Sequence, residues 1–266
     1  MGSSESIASR YVGIVLDIDG VCVRGSTPVP GAPEAIGSLR DLGIGLAFAT
    51  NNASRTPAAV AAHLRHAGFE LDDSEVVTSS QAAARLIAPG TVCVVVGTAG
   101  VREPLAERGC VITEDYAKAE VVVVGMDFEV SYEDLAVAAL ALGRGARFVG
   151  TNPDPSFPSE RGQLPGNGAL LAALTTTTGV RPEIAGKPEA PLFQAAADRL
   201  PPGRLLMVGD RLDTDIGGAA ALGWDTALPL TGSTSRDQLA TATTTPTYVI
   251  DSVVDLLKPP PDSPAG

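Results

Sequence analysis

Residues 12–25 read VGIVLDIDGVCVRG. An aliphatic run of strand length stops at two aspartates one residue apart, Asp17 and Asp19, and then a glycine. A continuous apolar run, rather than an alternating one, is the pattern of a strand covered on both faces, as in a parallel sheet flanked by helices. Two carboxylates this close repel each other, so either a positive group holds them or one keeps a proton. In open parallel sheets ligands bind beyond the carboxyl ends of the strands. Asp17 and Asp19 are therefore candidate site residues from the first reading.

The same alternation continues outward. APEAIGSLRDLG (32–43) has helical spacing with a glycine stop, IGLAFATNN (44–52) is a second strand, and RTPAAVAAHLRHAG (55–68) is a second helix. A further α/β set follows: strand 91–97, helix 99–108, strand 119–126, helix 131–144, strand 146–151 and the threonine-ended helix 166–179. Residues 183–200 and 204–223 then return to long helices around one strongly apolar strand. The expected fold class is α/β, a Rossmann-like parallel-sheet core with an inserted α/β domain. The expected divisions are core 11–78, inserted domain 79–183, core 184–257 and a proline-rich, frayed tail 258–266.

Bulk properties exclude several classes. The 266-residue chain carries a formal net charge of −12, which argues against a phosphate-backbone partner such as nucleic acid. No apolar run has membrane-spanning length, and MGSSESIASR lacks the apolar stretch of a signal peptide, so the expected location is cytoplasmic. Cys22, Cys93 and Cys110 have no metal-binding spacing and read as buried reduced thiols. His63 and His66 share a helix but lack acidic or thiol partners nearby, and read as surface or packing residues. Only three lysines occur, Lys118, Lys187 and Lys258, so a lysine with a chemical task should be among them.

Four short motifs fall at or after expected strand ends: Asp17 and Asp19 in DIDG, then Thr50, Asn51 and Asn52, then Lys187 in AGKPEA, then Asp210 in VGDRLDTDI with Asp213 and Asp215 following. Together they suit phosphoryl transfer, which must cancel negative charge while a nucleophile approaches in line. A Mg2+ ion held by Asp17 and Asp210 could bridge an anionic nucleophile and the phosphate. Lys187 could supply the second positive charge, Thr50 and the backbone N–H groups around Asn51 could bind the remaining oxygens, and Asp19 would remain for proton traffic.

In this order the four motifs resemble those of the haloacid dehalogenase (HAD) superfamily of phosphohydrolases. PVPGA (28–32), TNNASRT (50–56), VVTSSQAA (76–83), TNPD (151–154) and LPGNGAL (164–170) resemble its NagD-like branch, which has a class IIA α/β cap, and within it the actinobacterial glycerol-3-phosphate phosphatases. The resemblance implies that Asp17 is a nucleophile forming an aspartyl-phosphate and that Asp19 is the acid and base. It implies Mg2+ held by Asp17, the backbone carbonyl of Asp19 and Asp210, with Asp215 behind them, and phosphoryl binding by Thr50, Asn51, Asn52 and Lys187. The cap would exclude water and read the leaving group. The implied partner is a small phosphorylated metabolite, with no nucleic acid and no membrane. A homodimer is compatible with the resemblance, because caps in relatives contribute to dimerisation.

The expected activity is thus Mg-dependent hydrolysis of small phosphate monoesters, with glycerol 3-phosphate favoured. On the same chemistry 2-phosphoglycolate, pyridoxal phosphate, sugar phosphates and nucleotides remain open as substrates. The non-enzyme alternative is a receiver-like phosphoacceptor module. Receivers share an acidic cluster, a threonine and a lysine on a parallel sheet, but lack both Asp19 at this spacing and a large insertion.

Overall fold

In a computed structural model, which describes residues 5–159 and 161–260, the opening run forms the strand Gly13–Leu16, with all four residues buried. Residues 1–4, and the end of the expected frayed tail, residues 261–266, lie outside the described residues. Lys258, where that tail was expected to begin, is ion-paired with Asp255 at 2.5 Å.

The chain forms two compact units and crosses between them four times. The first comprises the described residues up to Thr50, Ala58–Val77, and the chain from Phe193 onward. The second comprises Asn51–Pro57 and Thr78–Leu192. The division expected at 183/184 falls inside the strand Glu183–Ile184, which pairs in parallel with Arg147–Gly150 of the second unit.

The six-stranded sheet of the first unit runs in the order Tyr248–Ile250, Asp225–Pro229, Leu205–Val208, Gly13–Leu16, Gly45–Thr50, Val76–Thr78. Gly13–Leu16 is parallel to both neighbours, pairing Leu16 with Val208 on one side and with Phe48 on the other. From this central strand the chain moves outward in one direction early and in the other direction late, so the strand order reverses beside it. That reversal is the topological switch point where open α/β sheets bind ligands.

The helix Ala32–Asp41 covers part of the sheet. It has Pro33 in its first turn after Gly31, whose φ of 76° only glycine adopts readily, and it turns Ala32, Ala35, Ile36 and Leu39 inward. Ala32, Ile36 and Leu39 join Ile14, Leu16, Phe48, Leu64 and Val208 in one apolar core. The second unit has its own sheet, ordered Glu183–Ile184, Arg147–Gly150, Val121–Val124, Val92–Val96, Val111–Ile112, with every pair parallel. Valines of these strands pack on Ala138, Ala141 and Leu142 of the helix Tyr132–Gly143 and on Leu171 and Leu174 of the helix Asn167–Thr178.

The long helices expected over 183–200 and 204–223 are shorter. Residues 183–184 are extended, and the first helix is limited to Ala190–Ala197. After the strand Leu205–Val208 the chain makes a π-helical turn, Leu212–Ile216, and then only Gly217–Ala221. Two glycines at 217 and 218 are weak helix formers, and π turns concentrate at functional sites.

Leu39 is fully buried in the first unit's core. Leu39→Ala is expected to cost about 2–5 kcal/mol of unfolding free energy, read as a lower urea midpoint at unchanged slope.

Candidate active site

The carboxylates of the first unit gather where two adjacent strands end. Asp17 follows Gly13–Leu16, and its N–H donates to Val208 O at 2.8 Å, so the ladder continues one residue past the strand. Asp210 follows Leu205–Val208 by two residues. Asp17, Asp210 and Asp215 are all buried, and one carboxylate oxygen of each lies within 4.8 Å of the others.

Glycines make this convergence possible. A Cβ on Gly209 would overlap the Cβ and Cγ of Asp215, and a Cβ on Gly232 would overlap Asp210. Gly20, at φ 86°, sits where a Cβ would be 2.6 Å from Asp210 Oδ2. Backbone donors then fix the carboxylates. Ser233 N–H donates to Asp210 Oδ2 at 2.5 Å, and Arg211 N–H donates to Asp215 Oδ2 at 3.1 Å. Thr234 Oγ1 donates to Asp210 O at 2.5 Å, and Thr231 Oγ1 donates to Gly20 O at 2.6 Å. Arg24 Nε closes the frame by donating to Thr231 O at 2.5 Å. Sequence reading missed the segment 231–234; its only local clue was the turn-forming composition TGST.

The other expected residues of this unit are placed as follows. Thr50 is buried at the end of the strand Gly45–Thr50. Asp19 is exposed, in the turn where Gly20 N–H donates to Val23 O at 2.7 Å, and its carboxylate is not a member of the buried trio. Asp213 is exposed and forms a two-point pair with Arg211, at 3.1 and 2.8 Å. That guanidinium lowers the Asp213 carboxyl below its ordinary pKa. Cys22 is buried beside the site, and its Sγ donates to Asp17 O at 3.4 Å. Burial first, and then the Asp17 and Asp19 charges, push its thiol pKa well up, so it stays a thiol rather than a nucleophile.

In the second unit Asn51 and Lys187 meet directly. Lys187 N–H donates to Asn51 Oδ1 at 2.8 Å, and Asn51 Nδ2 donates to Lys187 O at 3.0 Å. The remaining Nδ2 hydrogen goes to Asp154 Oδ2 at 3.0 Å. Asn51 O accepts from Asn152 Nδ2 and from Ser79 Oγ, both at 2.8 Å. Asn167 Nδ2 donates to Asn152 O at 2.8 Å. Asn52 is exposed, and its Oδ1 accepts from Ser54 N–H at 2.9 Å, closing an Asx turn. Lys187 is only 2% exposed, an uncommon setting for an ammonium.

The trio suits a hard divalent cation. Its donors are carboxylate oxygens, its members are already desolvated, and its glycine cradle allows close approach. Asp17 and Asp210, with the Asp215 carboxylate beside them, are the groups that could hold such an ion.

A buried acidic cluster at the switch point of a doubly wound sheet suits phosphoryl-transfer chemistry, and comparison with known proteins identifies the class as hydrolase. The family profile described as haloacid dehalogenase-like hydrolase matches residues 14–111, and a second profile of the same kind, HAD-hydrolase-like, matches residues 184–256. The chain is 39% identical over 250 residues to a 5'-nucleotidase of Bacillus subtilis, covering 92% of this chain and 97% of that one. It is 42% identical over 236 residues to a D-glycerol 3-phosphate phosphatase of Mycobacterium tuberculosis, covering 87% of this chain and 66% of that longer relative. Among solved structures, a glycerol phosphate phosphatase of Mycobacterium tuberculosis in complex with magnesium matches with TM-score 0.90 at 39% identity, over 96% of this chain and 79% of that one. NagD from Escherichia coli K-12 matches with TM-score 0.85 at 31% identity, over 92% and 97%.

The chain belongs to the haloacid dehalogenase-like hydrolase family. It is an enzyme of the phosphoric monoester hydrolase class, in a family whose phosphatases use a divalent metal. No helix among the described residues is long and apolar enough to cross a membrane.

The contact at Gly209 gives a direct test. Gly209→Ala drives a methyl into Asp215 and is expected to lower unfolding free energy by about 1–3 kcal/mol together with a loss of phosphatase activity. Gly37→Ala is the control: it lies inside the helix Ala32–Asp41, and nothing stands within 4 Å of its added Cβ. It should stabilise the protein by about 0.5–1 kcal/mol and leave turnover unchanged.

Proposed function

We propose that the chain is a Mg2+-dependent phosphatase of small phosphate monoesters, acting through a phosphorylated Asp17, with glycerol 3-phosphate as the favoured substrate. The observation that carries this reading is the buried convergence of Asp17, Asp210 and Asp215 at the switch point. The substrate preference rests on the 42% identity to the mycobacterial D-glycerol 3-phosphate phosphatase. A second reading, a nucleoside monophosphate substrate, is favoured by the 39% identity to the Bacillus 5'-nucleotidase along nearly its full length.

In the proposed reaction an Asp17 carboxylate oxygen attacks phosphorus in line, and the ester P–O bond breaks. The leaving alkoxide takes a proton from Asp19, so Asp19 begins the cycle as an acid. Asp19, now a carboxylate, then takes a proton from water as that water attacks the aspartyl-phosphate, releasing inorganic phosphate and restoring Asp17. Bound Mg2+, on Asp17, Asp210 and the Asp19 carbonyl with Asp215 behind, would offset the charge of the two approaching anions. Lys187 contributes the second positive charge, and Thr50 with the N–H groups of Asn51 and Asn52 takes the non-bridging oxygens.

The net charge of −12 disfavours a nucleic-acid partner, and three buried free cysteines suit the reducing cytoplasm. A homodimer belongs to the same reading and is open to sizing by light scattering.

Asp17→Asn should abolish turnover of p-nitrophenyl phosphate while the protein stays folded by circular dichroism. Retained activity, with reversion of the amide to Asp excluded by mass spectrometry, would overturn the nucleophile assignment. Lys187→Ala should lower kcat/KM by about 100-fold or more. Removing divalent metal with EDTA should stop turnover, and Mg2+ should restore it. In a kcat/KM panel of small phosphate esters, glycerol 3-phosphate should rank first; first rank for a nucleoside monophosphate would select the second reading.

A further inference from the structure

We infer that the side chain of Asn51 is a positioning residue for Lys187, held in turn by Asp154, and that it does not itself bind the transferring phosphoryl group. The inference rests on the role given to Lys187 under the proposed function.

The hydrogen-bond inventory of the amide carries it. A side-chain amide has two N–H donors and one carbonyl. Both Asn51 donors are committed, one to Lys187 O and one to Asp154 Oδ2, each at 3.0 Å. The carbonyl accepts from Lys187 N–H at 2.8 Å. Asn51 thus grips the main chain of Lys187 on both its N–H and its C=O, as one strand grips another, although residue 187 lies outside any strand of the sheet. A phosphate oxygen accepts hydrogen bonds and cannot pair with the amide carbonyl, so it would have to displace one of two existing bonds. Gly186 shows how closely the parts fit: an added Cβ would stand 2.5 Å from Asn51 Oδ1 and from Thr151 O.

The grip is itself braced. Asp154 N–H donates to Asn152 Oδ1 at 3.1 Å, and Asp154 O accepts from Gly168 N–H at 2.8 Å. Asn152 Nδ2 donates to the backbone carbonyl of Asn51, and Asn167 Nδ2, at the start of the helix Asn167–Thr178, donates to the backbone carbonyl of Asn152. A run of four asparagine and aspartate side chains therefore fixes the peptide from which a buried lysine departs. An electrostatic contribution to a transition state depends on where the charge sits, and a displacement of about 1 Å can cost about 100-fold in rate. The backbone N–H of Asn51, which no side-chain substitution removes, keeps the phosphoryl role proposed for it.

Kinetics on a double-mutant cycle separates positioning from direct contact, using the full-length protein with Mg2+ and p-nitrophenyl phosphate. Asn51→Ala should lower kcat by about 10- to 100-fold, with KM changed less than about threefold. Adding it to Lys187→Ala should bring little further loss, because the residue acts only through that lysine. Losses that multiply, or a loss confined to KM, would mean that the Asn51 side chain touches substrate, and would overturn the proposal.

A second pair of variants works even if Asn51→Ala fails to fold or the Lys187→Ala baseline is too low to read. Asp154→Asn keeps an oxygen acceptor for Asn51 Nδ2 and should retain kcat within about threefold. Asp154→Ala removes that acceptor and should reproduce the Asn51→Ala loss in kcat. Equal behaviour of the two Asp154 variants overturns the proposal. Wild-type turnover in Lys187→Ala would instead remove the lysine's role in the reaction, a failure of the functional reading that is distinguishable from the others.

Discussion

Three carboxyl groups held within 4.8 Å of one another, out of water, are the constraint around which the first unit is arranged. In their ionised forms Asp17, Asp210 and Asp215 would repel one another, and each has given up hydration on burial. The fold compensates with neutral dipoles: N–H groups of Ser233 and Arg211 on the carboxylates, and hydroxyls of Thr231 and Thr234 on the neighbouring carbonyls. It makes room with glycine at 20, 209 and 232, where any side chain would occupy carboxylate space. This arrangement is costly for a bare protein, and a dication held by the three carboxylates would offset that cost.

The second unit meets the opposite problem, a buried cation that has to be kept in place. Its solution is main-chain fixation. Asn51 pairs with both polar groups of the Lys187 peptide, and Asp154, Asn152 and Asn167 brace Asn51 from behind. Both units therefore use loops for chemistry and strands for rigidity. Asp17 and Asp210 follow a strand by one and two residues, Thr50 ends one, and Asn51 and Lys187 lie on loops.

Much of this was legible in residues alone, for identifiable reasons. The run GIVL before Asp17 and the run LLMV before Asp210 are unbroken apolar stretches, and such stretches have few alternatives to a doubly covered parallel strand. Since polar residues right after such strands lie at the ligand-binding edge, Asp17 and Asp210 could be placed at one site before any coordinates. The segment 231–234 was not legible, because its contribution is made through N–H groups and small hydroxyls that carry no distinctive chemistry in sequence. Nor was the role of the Asn51 side chain. In TNN an amide looks equally suited to a turn, a phosphate or a peptide, and only its partner at position 187, remote in the chain, decides among them. The short π turn at 212–216 was likewise hidden, since helical periodicity does not reveal an inserted residue.

The central position of Gly13–Leu16 has a consequence for how the protein is made. One edge of this strand finds its neighbour early, at Gly45–Thr50, while the other stays open until Leu205–Val208 has left the ribosome. Through most of synthesis the nascent chain therefore carries an uncovered, strongly aliphatic edge of the kind that recruits other strands. The intervening second unit, built from Asn51–Pro57 and Thr78–Leu192, is fully synthesised before that edge closes. The strand that leads into Asp17 is thus sealed only after the whole second unit has been made, and only Asp225–Pro229 and Tyr248–Ile250 join the sheet later.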